Sequence, residues 1–238
     1  MQIHYMGLWN PGVEVGILES GCTQYWLVNL EREIESPERW LAILSEEERE
    51  VAFRFRLRED RIRYLTSHAV LRLLLGEYLK VEPRTIAIKP GPWGKPLPIA
   101  ETGLHFSLSR SKDRAVLAFA RNHQLGIDIE ALRVVEEAND IVNSQFSECE
   151  KLEYSNLAPA ERADAFIAAW TRKEAYVKAT GKGLGVTALN SFSVSMHPYT
   201  PARLLKVEGD PAEAGRWQLY DLPVEAGYRC TLATETQA

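Results

Sequence analysis

Apolar positions along the chain fall into two helical stretches, each followed by short strand-like runs. From Arg61 to Leu79 the residues Ile62, Leu65, Ala69, Leu73 and Leu74 recur at helical spacing, and Gly76 or Pro83 marks the exit. Two helix starts precede this segment: Ser36 with Pro37 at the first helical position, and Ser45 with Glu48 as a capping box. After it, TIAIK (85–89), LHFSLS (104–109), RAVLAFA (114–120) and LGIDIE (125–130) predict strands, with GPWGKPLP between the first two. The second half repeats this order. A capping box at Ser147 and Glu150 precedes a long helix near Ala160 to Thr180, which carries Phe166, Ile167, Trp170 and Val177. Strands are predicted at SFSVS (191–195), ARLLKV (202–207), WQLYDL (217–222) and YRCTLATE (228–235). The halves share almost no residue identity, yet their common order predicts an α+β fold of two similar lobes, each a long helix packed on a small, mainly antiparallel sheet. The expected lobes are 1–122 and 123–238, with the boundary near Arg121 to Leu125 and a site at their junction.

Composition narrows the function. The chain has 238 residues, 45% hydrophobic and 26% charged, an ordinary globular balance. A formal net charge of -5 argues against a general nucleic-acid binder, whose phosphate-facing surface would be basic. Cys22, Cys149 and Cys230 are too few and too scattered for a disulfide framework or a metal knuckle, which fits a reducing compartment. The first segment has no Lys or Arg before Arg32 and no unbroken apolar core, and no apolar run approaches the roughly 20 residues that span a bilayer. A cytoplasmic protein without membrane partners is expected.

Several segments can carry chemistry. In GIDIE, Asp128 and Glu130 lie two apart in a strand, so the pleat aims both carboxylates at one face and Ile127 and Ile129 at the other. Two like charges on one face repel unless solvated or bridged, and a hard oxygen-seeking ion such as Mg2+ is a natural bridge. An edge strand with an acidic solvent face gives the same pattern. Trp170, Glu174 and Lys178 share one helical face, which brings in a third carboxylate and an ammonium; a plain surface ion pair has the same spacing. WGKP holds Lys95 between glycine and proline, a stiff presentation of a cation. SLSRS places Ser107, Ser109 and Ser111 on one strand face beside Arg110, groups suited to phosphate oxygens. In FRFRLREDRIR, Arg54 and Arg58 share a helical face, a pattern that also suits a solvated surface. His4, His68, His105, His123 and His197 lack ligand spacing and read as structural or surface groups. GKGLG (181–185) is a helix exit rather than a phosphate loop, and no nucleophile elbow is present.

Taken in order, WGKP, HFSLSRS, GIDIE, FSECE and WTRKEAYVKATGKGLG resemble the signature segments of the larger, two-lobed, Sfp-like 4'-phosphopantetheinyl transferases. FRFRLREDRIRYLTSHAVLR is more loosely similar to that family's Phe-x4-Asp helix, here Phe55 and Asp60. The resemblance implies a monomer that binds coenzyme A between its lobes and moves the phosphopantetheine arm to a serine of an apo carrier protein, releasing adenosine 3',5'-bisphosphate. It implies that Asp128, Glu130 and Glu174 hold Mg2+, with Mn2+ as a substitute, and that Lys178 contacts phosphate. Trp93, Gly94, Lys95, Pro96, Ser109 and Arg110 would contact the nucleotide end. Glu150 of FSECE is the implied general base for the carrier serine, with Glu174 sharing or taking that role. The chain departs from the family pattern in two places. Arg110 stands where the family commonly has His, and Val51 stands where a basic residue is usual, leaving Arg49 or Arg54 as the candidate 3'-phosphate contacts. Two rival readings are another metal-dependent phosphoryl-transfer enzyme and a non-catalytic binding module that kept the fold.

Overall fold

The computed structural model describes residues 1–31, 37–89, 91, 95, 102–183 and 187–236. Its first sheet has the order β1-β2-β4-β3, formed by β1 (Gln2–Leu8), β2 (Cys22–Asn29), β3 (Leu104–Ser111) and β4 (Arg114–Arg121). β1 runs parallel to β2 and the other pairs are antiparallel, so residues 9–21 must carry the chain back across the sheet end. Between β2 and β3 lie α1 (Pro37–Leu41), α2 (Glu46–Arg54) and the long α3 (Arg58–Leu79). The second sheet, β5-β9-β8, joins β5 (Leu125–Ala131) to β9 (Tyr228–Glu235) and β8 (Trp217–Asp221), all antiparallel. Its helices are α4 (Ala138–Gln145), α5 (Glu148–Asn156), α6 (Pro159–Thr180) and the short α7 (Glu213–Arg216). β6 (Phe192–Val194) and β7 (Leu204–Val207) form a separate antiparallel pair.

The α+β fold is thus as expected, with three differences in its elements. β1 and β2 precede the long helix and were not anticipated, so the first sheet is not a run of four strands following α3. TIAIK is not a strand: Pro83–Thr85 form a 3-10 turn, and buried Arg72 donates to the carbonyls of Pro83 (2.9 Å) and Ile86 (3.0 Å). A side chain thereby takes acceptors a ladder would need. The arginine-rich stretch is no continuous helix, because α2 caps at Phe55 and α3 starts after Leu57, so Arg54 and Arg58 belong to different helices. The Ser36 start lies outside the described residues.

Three apolar cores follow from the pleat. On β2, Trp26 and Val28 face the core shared with α3, whereas Tyr25 and Leu27 face a core shared with β5 and β9. β4 divides likewise, with Leu117 and Phe119 on the α3 side and Val116, Ala118 and Ala120 on the other. On β5, Ile127 and Ile129 enter this middle core with Cys230 and Leu232 of β9. The alternate β5 residues therefore face the opposite way, toward α6, which builds the third core through Phe166, Ile167, Tyr176 and Val177.

One construction occurs in both halves. The capping-box residue Glu48 of α2 accepts from buried Arg72 of α3 at 2.5 Å. Glu150 of α5, in the same capping position, pairs with buried Lys173 of α6 at 2.9 Å. As Arg72 reaches the carbonyls of the first 3-10 turn, so Lys173 reaches those of Leu189 (2.8 Å) and Phe192 (2.9 Å) at the second, Leu189–Ser191.

Gly126 sets how near α6 comes to β5. A Cβ there would stand 2.2 Å from Ala179 N and 2.3 Å from Ala175 O, both backbone atoms that cannot swing aside. Gly126→Ala is expected to destabilise the protein by ~3 kcal/mol or more, since the helix must move as a unit. Urea unfolding of the variant beside wild type measures this.

Candidate active site

A cavity of about 1070 Å³ opens between α3, the segment 84–89, β3 and α6. Arg72, Arg84, Lys89, Lys95, Arg110 and Lys178 contribute six cations to its lining, against the carboxylates of Glu47, Glu48 and Glu174. Such a wall suits an anionic ligand.

At the α6 side the expected residues come together. Lys178 Nζ donates to Asp128 Oδ1 (2.6 Å) and to Ser109 Oγ (2.9 Å), and Ser109 in turn donates to the same carboxylate oxygen (2.7 Å). Asp128 is 3% exposed, and its Oδ2 has no hydrogen-bond partner among the described residues; the same is true of Glu174 Oε1. Burial, helped by the nearby charge of Asp128, pushes the Glu174 carboxyl up to about 7. Burial also raises Glu130, whose Oε2 accepts from Ser111 Oγ at 2.7 Å. Among the described residues, no three His, Cys, Asp or Glu side chains are disposed to hold a metal ion as they stand. Asp128 and Glu130 each turn one oxygen to a β3 serine, Ser109 and Ser111 respectively. Their donor chemistry nevertheless fits a hard cation, being all oxygen, mutually repelling and partly unpartnered.

Other expected residues lie differently. Lys95 lines the cavity, but its ammonium donates to the carbonyls of Leu125 (2.9 Å) and Ala179 (3.0 Å), and burial brings it down to about 8. Trp93, Gly94 and Pro96 lie outside the described residues. Arg110 is in the wall, its guanidinium 5.3 Å from the Tyr64 ring centre. Neither Arg49 nor Arg54 lines the cavity, and Arg54, 76% exposed, stands 3.9 Å from Glu50. The β3 serines bond within the protein, Ser107 and Ser111 accepting from Ile127 N and Ala131 N, both at 3.1 Å, while Ser107 and Ser109 also line the cavity.

Glu150 stands apart from the cavity lining. It is 1% exposed, accepts from Ser147 N, Ser147 Oγ and Val194 N (all 2.8 Å), and pairs with Lys173. Both of its oxygens are thus held by donors of the fold. Removing it in Glu150→Ala strands a buried ammonium and is expected to cost ~3–5 kcal/mol, read as a lower urea midpoint. A purely catalytic Glu150 would leave that midpoint unchanged.

His68, read from sequence as structural or surface, belongs to the wall. It stacks on Tyr64 at 3.9 Å, and its Nδ1 lies 3.0 Å from the Tyr64 carbonyl, which fixes Nδ1 as the protonated nitrogen. Tyr64 and His68 are four apart on α3, a spacing that could have flagged the pair. Burial, then the charge of Arg110, hold His68 down to about 3. Because its folded value is depressed, the stability it contributes is full above about 6.5 and is lost as pH falls toward 3. Between pH 7.5 and 5.0, wild type should lose ~1–2 kcal/mol more stability than His68→Gln, as paired urea titrations would report.

An α+β protein with a cation-walled cavity beside buried carboxylates and a shared lysine is equipped for a phosphorylated substrate. Comparison with known proteins sharpens the class. The sequence profile of the 4'-phosphopantetheinyl transferase superfamily matches residues 124–233. The 4'-phosphopantetheinyl transferase HetI of Nostoc sp. is 32% identical over 217 residues, 90% of this chain and 88% of that protein. The 4'-phosphopantetheinyl transferase Sfp of Bacillus subtilis is 32% identical over 166 residues, covering 68% and 71%. The gsp enzyme of Aneurinibacillus migulanus, also a 4'-phosphopantetheinyl transferase, is 28% identical over 188 residues, covering 79% and 75%. The chain belongs to the 4'-phosphopantetheinyl transferase family and is a transferase of that class.

Proposed function

We propose that the protein transfers the 4'-phosphopantetheine group of coenzyme A to a serine hydroxyl of an apo acyl or peptidyl carrier protein, with Mg2+ required and adenosine 3',5'-bisphosphate released. The observation that carries this reading is the meeting of Lys178, Ser109 and Asp128 beside Glu174 at a cavity whose lining holds more cations than carboxylates. Six cationic side chains in one lining supply donors for the several phosphates of coenzyme A.

Chemically, the serine Oγ forms a new bond to the β-phosphorus while the bond to the oxygen of adenosine bisphosphate breaks. The hydroxyl proton must go to a base, and the negative charge that grows on the phosphoryl oxygens must be met by fixed positive charge. Glu174 is the proton acceptor in this proposal: it lines the cavity, and one of its oxygens has no partner among the described residues. Lys178 supplies charge from a side chain already oriented by two acceptors. Asp128, Glu130 and Glu174 would hold Mg2+, which when bound offsets the charge of the diphosphate. Arg110, His68 and Tyr64 form the far wall, where the nucleotide end is placed.

The repeated capping-box ion pairs support treating 1–122 and 123–238 as lobes of a duplicated unit. A monomer in the cytoplasm suits three free cysteines and a described chain in which no helix is long and apolar enough to cross a membrane.

Asp128→Ala tests the reading. Incubated with coenzyme A, Mg2+ and an apo carrier, wild type should add the phosphopantetheine mass to the carrier, whereas the variant should lose at least a hundredfold in rate while keeping its circular dichroism. Undiminished transfer by the variant would remove this carboxylate from the chemistry.

A further inference from the structure

β3 and β5 are edge strands of different sheets, and no backbone ladder joins them among the described residues. They run side by side in the same direction, stitched by serines at alternate β3 positions. Ser107 accepts from Ile127 N (3.1 Å), Ser109 donates to Asp128 (2.7 Å), and Ser111 both donates to Glu130 Oε2 (2.7 Å) and accepts from Ala131 N (3.1 Å).

The three hydroxyls do different work. Ser107 holds backbone only. Ser109 holds a carboxylate, but the donor that orients its hydroxyl is the side chain of Lys178, which has its own freedom to move. Ser111 is the one of the three that both accepts from a backbone amide and donates to a carboxylate: with a lone pair taken by Ala131 N–H, its proton is aimed at Glu130. A hydrogen bond to one carboxylate oxygen fixes the rotation of the group and thus the plane in which the other oxygen lies. Glu130 is only partly buried and would otherwise turn freely.

We infer that Ser111 is a positioning residue that presents the Glu130 carboxylate for capture of a divalent cation, its hydroxyl held by the backbone of the strand bearing that carboxylate. The inference rests on the metal-holding role proposed above for Asp128, Glu130 and Glu174. It assigns Ser111 to the apparatus for the ion. Partners of metal-bound carboxylates typically change affinity 10- to 100-fold when removed.

The test is direct binding of Mn2+, read as loss of the free-ion electron paramagnetic resonance signal, to the full chain with and without coenzyme A. Ser111→Val should bind Mn2+ about tenfold more weakly than wild type, and Ser111→Thr, which keeps the hydroxyl in a similar shape, should restore the affinity. Ser107→Ala removes a seam hydrogen bond of the same kind but holds no carboxylate, so it should lower thermal stability and leave Mn2+ affinity within twofold. Equal Mn2+ affinity in Ser111→Val and wild type overturns the positioning role, as does a loss in Ser107→Ala matching that in Ser111→Val. Should Ser111→Val not fold, Ser111→Thr binding tenfold worse than wild type would overturn it too. Wild type that binds no Mn2+ in either condition instead defeats the metal reading itself, a result distinct from these.

Discussion

Everything at the site depends on how closely α6 lies on β5. Asp128 and Glu130 come from the strand, Glu174 and Lys178 from the helix, and backbone packing alone sets the gap between the two sets. Gly126, on the strand face that bears the two acids, leaves no room for even a methyl group beneath the helix backbone. The approach turns an i,i+4 pair on a helix surface into a contact across elements, with Lys178 reaching Asp128 at 2.6 Å. Lys95 ties the same region from the cavity side, its ammonium bridging the carbonyl of the first residue of β5 and one in the last turn of α6. A cation at a helix C-terminus is favourably placed, which helps explain why a lysine is kept there despite burial.

Around this contact the two halves solve one problem twice. A long helix with a buried cation needs a carboxylate to pair it and carbonyls to fill its remaining donors, and both are supplied from fixed backbone positions. In the first half Arg72 takes Glu48 and the turn at 83–86; in the second Lys173 takes Glu150 and the turn at 189–192. Lys173 also lies 4.2 Å from the centre of the Phe192 ring, a further substitute for lost water. Satisfied in full, such a buried pair is tolerable; with one partner missing it is not. That logic gives Glu150 a place as a strut of the fold, in the position that Glu48 takes in the first half.

Much of this was legible from the chain. The capping boxes at Ser45 and Ser147 start α2 and α5, and the helical periods near Arg61 to Leu79 and Ala160 to Thr180 lie within α3 and α6, because these signals are local. What was hidden depends on tertiary contact. β2 is buried on both faces, so CTQYWLVN shows no alternation to mark it as a strand. TIAIK has the right residue types for a strand, but it follows a 3-10 turn and gives its Ile86 carbonyl to Arg72, a partner distant in sequence. The alternation of Ser107, Ser109 and Ser111 was plain, yet whether hydroxyls on a strand edge meet a ligand or a neighbouring strand is decided only when β5 arrives beside them. His68 looked ordinary for the same reason: its role comes from the cavity that α3 and β3 enclose.

Charge distribution connects fold to reaction. The chain carries a formal net charge of -5, while its cavity gathers six cationic side chains. Three of these are already engaged: Arg72 with Glu48, Lys95 with two carbonyls, and Lys178 with Asp128. Held this way, the cations stand in place before any ligand enters, and little reorganisation is needed to meet a phosphate. Lys178 also has a second effect. By pairing with Asp128 it offsets part of the repulsion among three neighbouring acids, and its charge pulls against the burial that raises Glu174. An anion that draws Lys178 away removes that offset and leaves the carboxylates more strongly in need of positive charge. In the function proposed above, the same lysine links arrival of a phosphate to the demand for a cation.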